Sequence, residues 1–225
     1  MSEILTLPLR ASANLKAYYR LENVNDDLGA NNLTNNNGVA FNAFKYGLGG
    51  DGGSGNTNKF LSAASNLGIA GNGDLFICFW LLLRDEISAG VWTLMTHEST
   101  TTADRYIQLI YQYNAGTRRL SLDAAGTSTT YNVTLGNTAT YFMVITRDVA
   151  GNSAKLYIDT VERIAGTIGT GTTGTNRLFF MANADGTNAT SGIFDEVAIF
   201  DSVLTTSEIA TIYNEGGSGL YSKVW

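Results

Sequence analysis

The feature that most constrains this chain is its punctuation. Short runs in which apolar and polar residues alternate are separated again and again by clusters of Gly, Asn, Thr and Ser. A period of two marks a half-buried strand, and the clusters supply turns. Strands are expected at 15–22, 39–46, 59–63, 74–84, 91–98, 105–113, 118–123, 129–135, 140–147, 154–162, 176–183 and 192–200. About twelve strands are too many for one open sheet, so the expected fold is all-β, a sandwich of two antiparallel sheets. In the first run Leu15, Ala17, Tyr19 and Leu21 share a face opposite Lys16, Tyr18, Arg20 and Glu22. The run at 74–84 is apolar on both faces and is expected at the centre of its sheet. At 105–113, Ile107, Leu109, Tyr111 and Tyr113 oppose Tyr106, Gln108, Ile110 and Gln112, a face that solvent can wet. One short helix is signalled near the end, where Thr205 and Glu208 form a capping box, Ile209, Ile212 and Tyr213 give an apolar stripe, and Gly216 and Gly217 a stop.

Composition narrows the function classes. The 225 residues are 44% hydrophobic, enough for a real core in one domain, and only 15% charged, so neutral polar side chains must cover the surface. A net charge of −6 and the lack of any Lys/Arg run argue against nucleic acid as a partner. The longest apolar stretch, Leu75–Leu83, has nine residues where a helix crossing a membrane needs about 20, so no membrane insertion is expected. Met1 to Pro8 shows neither a basic region nor a sustained apolar one, and no secretory signal is read there. Cys78 and His97 are the only residues of their kinds. A disulfide within the chain and a cysteine metal cluster are thereby excluded, and no nucleophile sits in a familiar catalytic context.

Two stretches, through Gly47, Gly49 and Gly52 and through Gly169, Gly171 and Gly174, match the dinucleotide-loop spacing. Neither is followed by the helical pattern that would hold a pyrophosphate, so both read as turns needing positive φ. The same-face Glu-x-Asp-x-Glu triplet of a sandwich glycosidase is absent, and adjacency is expected to send Asp195 and Glu196 to opposite faces. Asn23, Asn25, Asp26 and Asp27, with Asp51, Asp185 and Asp195, are hard-oxygen donors that suit either calcium or solvated turns. Asn-x-Ser/Thr triplets begin at Asn32, Asn132 and Asn188 and fit chance in a chain rich in Asn and Thr.

Several blocks together resemble the laminin-G-like, concanavalin A-like lectin and glucanase superfamily. They are Leu15-Lys16-Ala17-Tyr18-Tyr19-Arg20-Leu21-Glu22 followed by Asp27-Leu28-Gly29, Phe76-Ile77-Cys78-Phe79-Trp80, Lys155-Leu156-Tyr157-Ile158-Asp159, Phe194-Asp195-Glu196-Val197-Ala198-Ile199-Phe200, and the closing helix of residues 204–213. The resemblance implies a jelly roll spanning 15–217, with 1–14 a leading segment and 218–225 a tail. It also implies a glycan or protein partner and one structural calcium ion, for which Asp195 matches the family's acid; an Arg20 partner is the rival account of that acid. The missing triplet departs from the glucanase branch and leaves the non-catalytic one. The leading expectation is a recognition or adhesion module, outside the cell or on a virion surface, with Tyr106, Gln108 and Asn132 facing the ligand and Trp92 and Arg119 beside them. Alternatives are a virion decoration or fibre protein, assembled as a particle or homo-oligomer through Ile4 to Leu9 and the aromatic tail of Tyr221, Val224 and Trp225, and a divergent glycosidase.

Overall fold

The computed structural model describes residues 12–44, 47–53, 58–63, 65–69, 73–85, 87, 89–98, 105–170 and 177–217. The leading segment up to 11, the aromatic tail, and Gly171 and Gly174 of the second glycine motif lie outside these residues. The elements are β1 (Leu15–Tyr19), β2 (Leu33–Asn36), β3 (Ala40–Ala43), β4 (Leu48–Asp51), β5 (Phe60–Ala63), β6 (Leu75–Leu83), β7 (Gly90–Glu98) and β8 (Arg105–Asn114). They continue with β9 (Thr117–Ala124), β10 (Thr127–Asn132), β11 (Thr140–Asp148), β12 (Ser153–Ile158), β13 (Val161–Gly166), β14 (Arg177–Phe180), β15 (Gly192–Phe200) and the helix α1 (Thr206–Gly217).

Two antiparallel sheets result. One runs β13-β12-β11-β6-β15-β4-β3, with β1 added against the C-terminal half of β15; the other runs β10-β9-β8-β7-β14-β5-β2. The expected all-β jelly-roll sandwich with one helix is what forms. Alternation builds the core between the sheets, where Ile77, Phe79 and Leu81 of β6 and Val197 and Ile199 of β15 meet Leu109 and Tyr111 of β8 and Leu120 and Leu122 of β9. β6 is central, as its two apolar faces require: its other face, with Phe76, Cys78 and Trp80, joins Tyr18, Phe142, Ala198 and Phe200 in a second cluster closed by Ile209 and Ile212 of α1. The capping box sets the helix start, with Thr205 N–H donating to the Glu208 carboxylate at 2.7 Å and Glu208 N–H to Thr205 Oγ1 at 3.3 Å.

Three strands escape the periodicity. β13 follows β12 through a two-residue turn, Asp159 and Thr160 at φ 50° and 71°, without a glycine to mark it. β2 is short and polar. β4 lies inside the first glycine motif, and Gly49 serves close packing there: a Cβ would stand 2.8 Å from the carbonyl oxygen of Phe194 on the paired strand β15.

Candidate ligand-binding face

The outer face of β8, β9 and β10 follows from register. Because Ile107, Leu109 and Tyr111 point into the core, the residues between them point out, and each brings its cross-strand partners with it. One row is Asn132, Arg119 and Gln112; the next is Thr130, Ser121 and Ile110; the third is Ser128, Asp123 and Gln108. Ser128, Thr130 and Asn132 on the edge strand β10 are exposed, and Arg119, Gln112 and Asp123 are half-buried. Ser121 and Ser128 share a hydrogen bond at 2.7 Å. Beyond Asn132 the face runs into an open depression of about 320 Å³ lined by Gly116, Thr117, Arg118, Asn132, Val133 and Thr134. Arg118 is engaged there, donating from Nε to the carbonyl of Ile87 at 3.0 Å and lying over the Tyr113 ring.

On the neighbouring strands the same face is closed by residues 181–191. Asn183 is the hub: its Oδ1 accepts from Thr93 Oγ1 at 2.7 Å and Gln108 Nε2 at 2.9 Å, and its Nδ2 donates to Thr187 Oγ1 at 3.0 Å. Ala184 N–H donates to the buried Glu98 carboxylate at 2.7 Å.

Of the five expected ligand residues, Arg119 and Asn132 are neighbours on the outer face, and three are placed otherwise. Gln108 points outward but is buried at 5% exposure beneath Asn183. Tyr106 sits at a bulge in the β7–β8 ladder, opposite the step from His97 to Glu98. There its buried ring lies against His97 and under Arg147, which reaches it from the opposite sheet. Trp92 pairs with Tyr111 and shares its core-facing side, with ring centroids 6.4 Å apart. Gln112 lies on this face as its alternation in 105–113 implies, and Ser121, Asp123, Ser128 and Thr130 join it without having been singled out; the alternation at 117–132 carries their signal.

The oxygen-rich turns are occupied by their own hydrogen bonds. Asp26 accepts from the backbone N–H groups of Tyr18, Leu28 and Asn31 at 3.0 to 3.1 Å. Asp27 pairs with Arg20 at 2.8 Å, and Asp185 accepts from Thr187. Burial alone would raise the Asp51 carboxyl, but hydrogen bonds from Arg84, Asn42 and Gly53 N–H hold it below the usual carboxylate range.

Asp195 and Glu196 correct an expectation, since they share a face. Asp195 pairs with Trp80 and so stands on the helix side. A bulge follows, with Glu196 at φ 53°, and it turns that carboxylate toward the Tyr18 hydroxyl, which donates to it, on the same side. Both acids are buried, at 0% and 1% exposure. Burial pushes the nearby Cys78 thiol up to about 12; a backbone hydrogen bond at Ala198 opposes the rise and the charge of Glu196 adds to it. The donor chemistry is of the kind a hard divalent cation takes, two carboxyl groups on one face of the strand. Among the described residues no three of His, Cys, Asp and Glu gather to hold a metal, so main-chain oxygens would have to complete any shell.

A family model for the concanavalin A-like lectin/glucanases superfamily matches residues 52–210. No curated protein matches the chain. Among solved structures, domain 4 of the extracellular arabinanase AbnA from Geobacillus stearothermophilus, solved with arabinotriose, superposes with a TM-score of 0.67 at 18% identity, over 89% of this chain and 98% of that one. A botulinum neurotoxin type C structure, described as dependent for cell entry on two ganglioside molecules, gives 0.66 at 13% identity over 90% of this chain. Trypanosoma rangeli sialidase gives 0.67 at 13% over 90%. The chain spans about half of the toxin chain, 51%, and a third of the sialidase, 33%.

Proposed function

The chain belongs to the concanavalin A-like lectin/glucanases superfamily, and from that premise we propose that it is a non-catalytic recognition module that binds glycan on the outer face of β8, β9 and β10. The observation that carries this reading is the face itself: three cross-strand rows made almost entirely of hydroxyl, amide and single charged groups, exposed on β10 and half-buried at Arg119 and Asp123 of β9. Ser, Thr, Asn and Gln both donate and accept, which is what a sugar's hydroxyls ask of a surface. The ladder holds their spacing fixed, so little ordering entropy opposes binding. The acid pair at the β15 bulge supports the absence of hydrolysis, because a general acid must reach the glycosidic oxygen and both carboxylates are sealed beneath packed side chains.

A panel of immobilised neutral and acidic oligosaccharides tests the reading. The chain should retain at least one of them, and both Asn132→Ala and Thr130→Tyr should weaken retention about fivefold or more with melting unchanged. Retention of none, or retention indifferent to both substitutions, overturns it.

A structural calcium ion at Asp195 is part of the same proposal, with Asp195 and Glu196 as its carboxylate donors. Its support is the placement of two buried carboxyl groups next to each other on one face. A cation bound only to the folded chain raises the melting temperature. Chelator should therefore lower the wild-type melting temperature and leave Asp195→Ala unmoved; a wild-type curve indifferent to chelator, with no calcium by elemental analysis, removes the ion.

A further inference from the structure

We infer that the glycan taken by this face carries a carboxylate, and that Arg119 is the residue that holds it. The inference rests on the glycan-binding reading and adds the charge class of the ligand.

Six other arginines of the described residues are committed. Arg20 pairs with Asp27 and Arg84 with Asp51. Arg147 donates to the Gly73 carbonyl and covers Tyr106, and Arg118 donates to the Ile87 carbonyl. Arg163 lies over Tyr131, and Arg177 over Phe179. Arg119 is different. Among the described residues it has no carboxylate, carbonyl or ring as partner, although the chain carries 20 acidic residues against 14 basic ones. Its Nε is screened from solvent and makes no hydrogen bond among the described residues. The side chain as a whole is half-buried, so the outer N–H groups of the guanidinium are the donors an incoming acceptor would meet.

The geometry around it selects a carboxylate on a polyol. A guanidinium offers parallel N–H donors in a fixed fork, and a carboxylate accepts them in pairs. Asn132 and Gln112 flank Arg119 in its own row, each with an amide for neighbouring hydroxyls. Four residues farther along β9, at roughly 3.3 Å per residue, stands Asp123, an acceptor suited to sugar hydroxyls and hostile to a second anion. One cation and one anion at opposite ends of a neutral face, on a protein of net charge −6, disfavour a polyanion such as nucleic acid or a densely sulfated chain. They fit a glycan with isolated carboxylates, of the uronic or sialic acid class.

The experiment titrates sialyllactose and trigalacturonate into the full chain, each beside its carboxyl-amidated counterpart, which keeps the rings and removes the charge. At least one acid should bind about tenfold or more tighter than its amide, as a charge-assisted pair predicts. Arg119→Gln should erase that difference, Arg119→Lys should keep part of it, and added salt should weaken the acid alone. Acid and amide bound equally, or discrimination that survives Arg119→Gln, overturns the inference while the glycan reading stands. Binding of only neutral oligosaccharides does the same, and binding of no oligosaccharide of either kind removes both.

Discussion

The two outer faces of this sandwich are made by the same chain under the same alternation rule, and they end in opposite states. On the eight-stranded sheet the outward residues are Tyr18, Phe76, Cys78, Trp80, Phe142, Val144, Ala198 and Phe200, and α1 closes over them with Ile209 and Ile212 while Tyr213 stacks on Trp80 at 5.8 Å. On β8 to β10 of the seven-stranded sheet the outward residues are Gln, Ile, Ser, Asp, Arg, Thr and Asn, and no element crosses β9 or β10 among the described residues. The difference shows what a strand's second face is for. Where it is apolar, the chain must spend a further element to keep water out. Where it is neutral and polar, water covers it without cost and a ligand can displace that water.

The sharpest way to break the contrast is to remove the anchor of the sealed face. Trp80 is 1% exposed and packs against both Phe142 and Tyr213, so Trp80→Ala should cost about 3 to 5 kcal/mol, the usual range for emptying a large aromatic site. Thr130→Ala on the open face should stay within about 0.5 kcal/mol. Urea denaturation of the two variants measures both. Equal costs would mean that α1 merely rests on the sheet and that the two faces do not differ in kind.

A second, smaller effect tests the border between closed and open within the seven-stranded sheet. Asn183 is 3% exposed and accepts from two buried donors, Thr93 Oγ1 and Gln108 Nε2. Asn183→Ala leaves both without that acceptor, at a cost of about 1 to 3 kcal/mol. Hydrogen exchange should then quicken in residues 181–191 ahead of the rest of the chain. Unchanged exchange with full stability would show that the backbone bonds, such as Met181 N–H to the Leu94 carbonyl at 2.9 Å, hold the segment alone.

These particulars also show where sequence reading reached and where it stopped. The apolar runs of β6 and β15, the capping box of α1 and the outward register of Arg119 and Asn132 are local, and period two or a four-residue signature suffices to see them. Tyr106 and Glu196 were misplaced by bulges: one extra residue in a strand changes the side to which a neighbour turns, and nothing in the composition of β8 or β15 marks the insertion. Gln108 was read correctly as outward, yet it is covered by Asn183, 75 residues later in the chain. A contact of that separation leaves no trace in a local pattern. β4 belongs to the same class, since its glycines became a strand through the close approach of β15.

The smallest expected effect lies at the polar margin of the sealed face. Asp51 pairs with Ile193 across the ladder, and Ile193 with Leu82, which places its carboxylate on that outer side, 4% exposed. Arg84 Nε donates to it at 2.9 Å, Asn42 Nδ2 at 2.6 Å and Gly53 N–H at 2.8 Å, and together they outweigh the burial that would otherwise favour the protonated acid. A carboxyl whose folded value is depressed contributes stability above its unfolded value, 3.8 here, and loses it as the pH falls through the folded value. Arg84 is itself 36% exposed, and solvent screens the pair, so the contribution is set at about 1 kcal/mol or less. Asp51→Asn should therefore lower stability slightly at neutral pH and flatten its dependence below about pH 4. Denaturant midpoints at pH 7 and pH 3 measure the two slopes. If the variant loses as much at pH 3 as at pH 7, the charge of Asp51 contributes nothing, and the margin of the sealed face is held by amide-compatible hydrogen bonds instead.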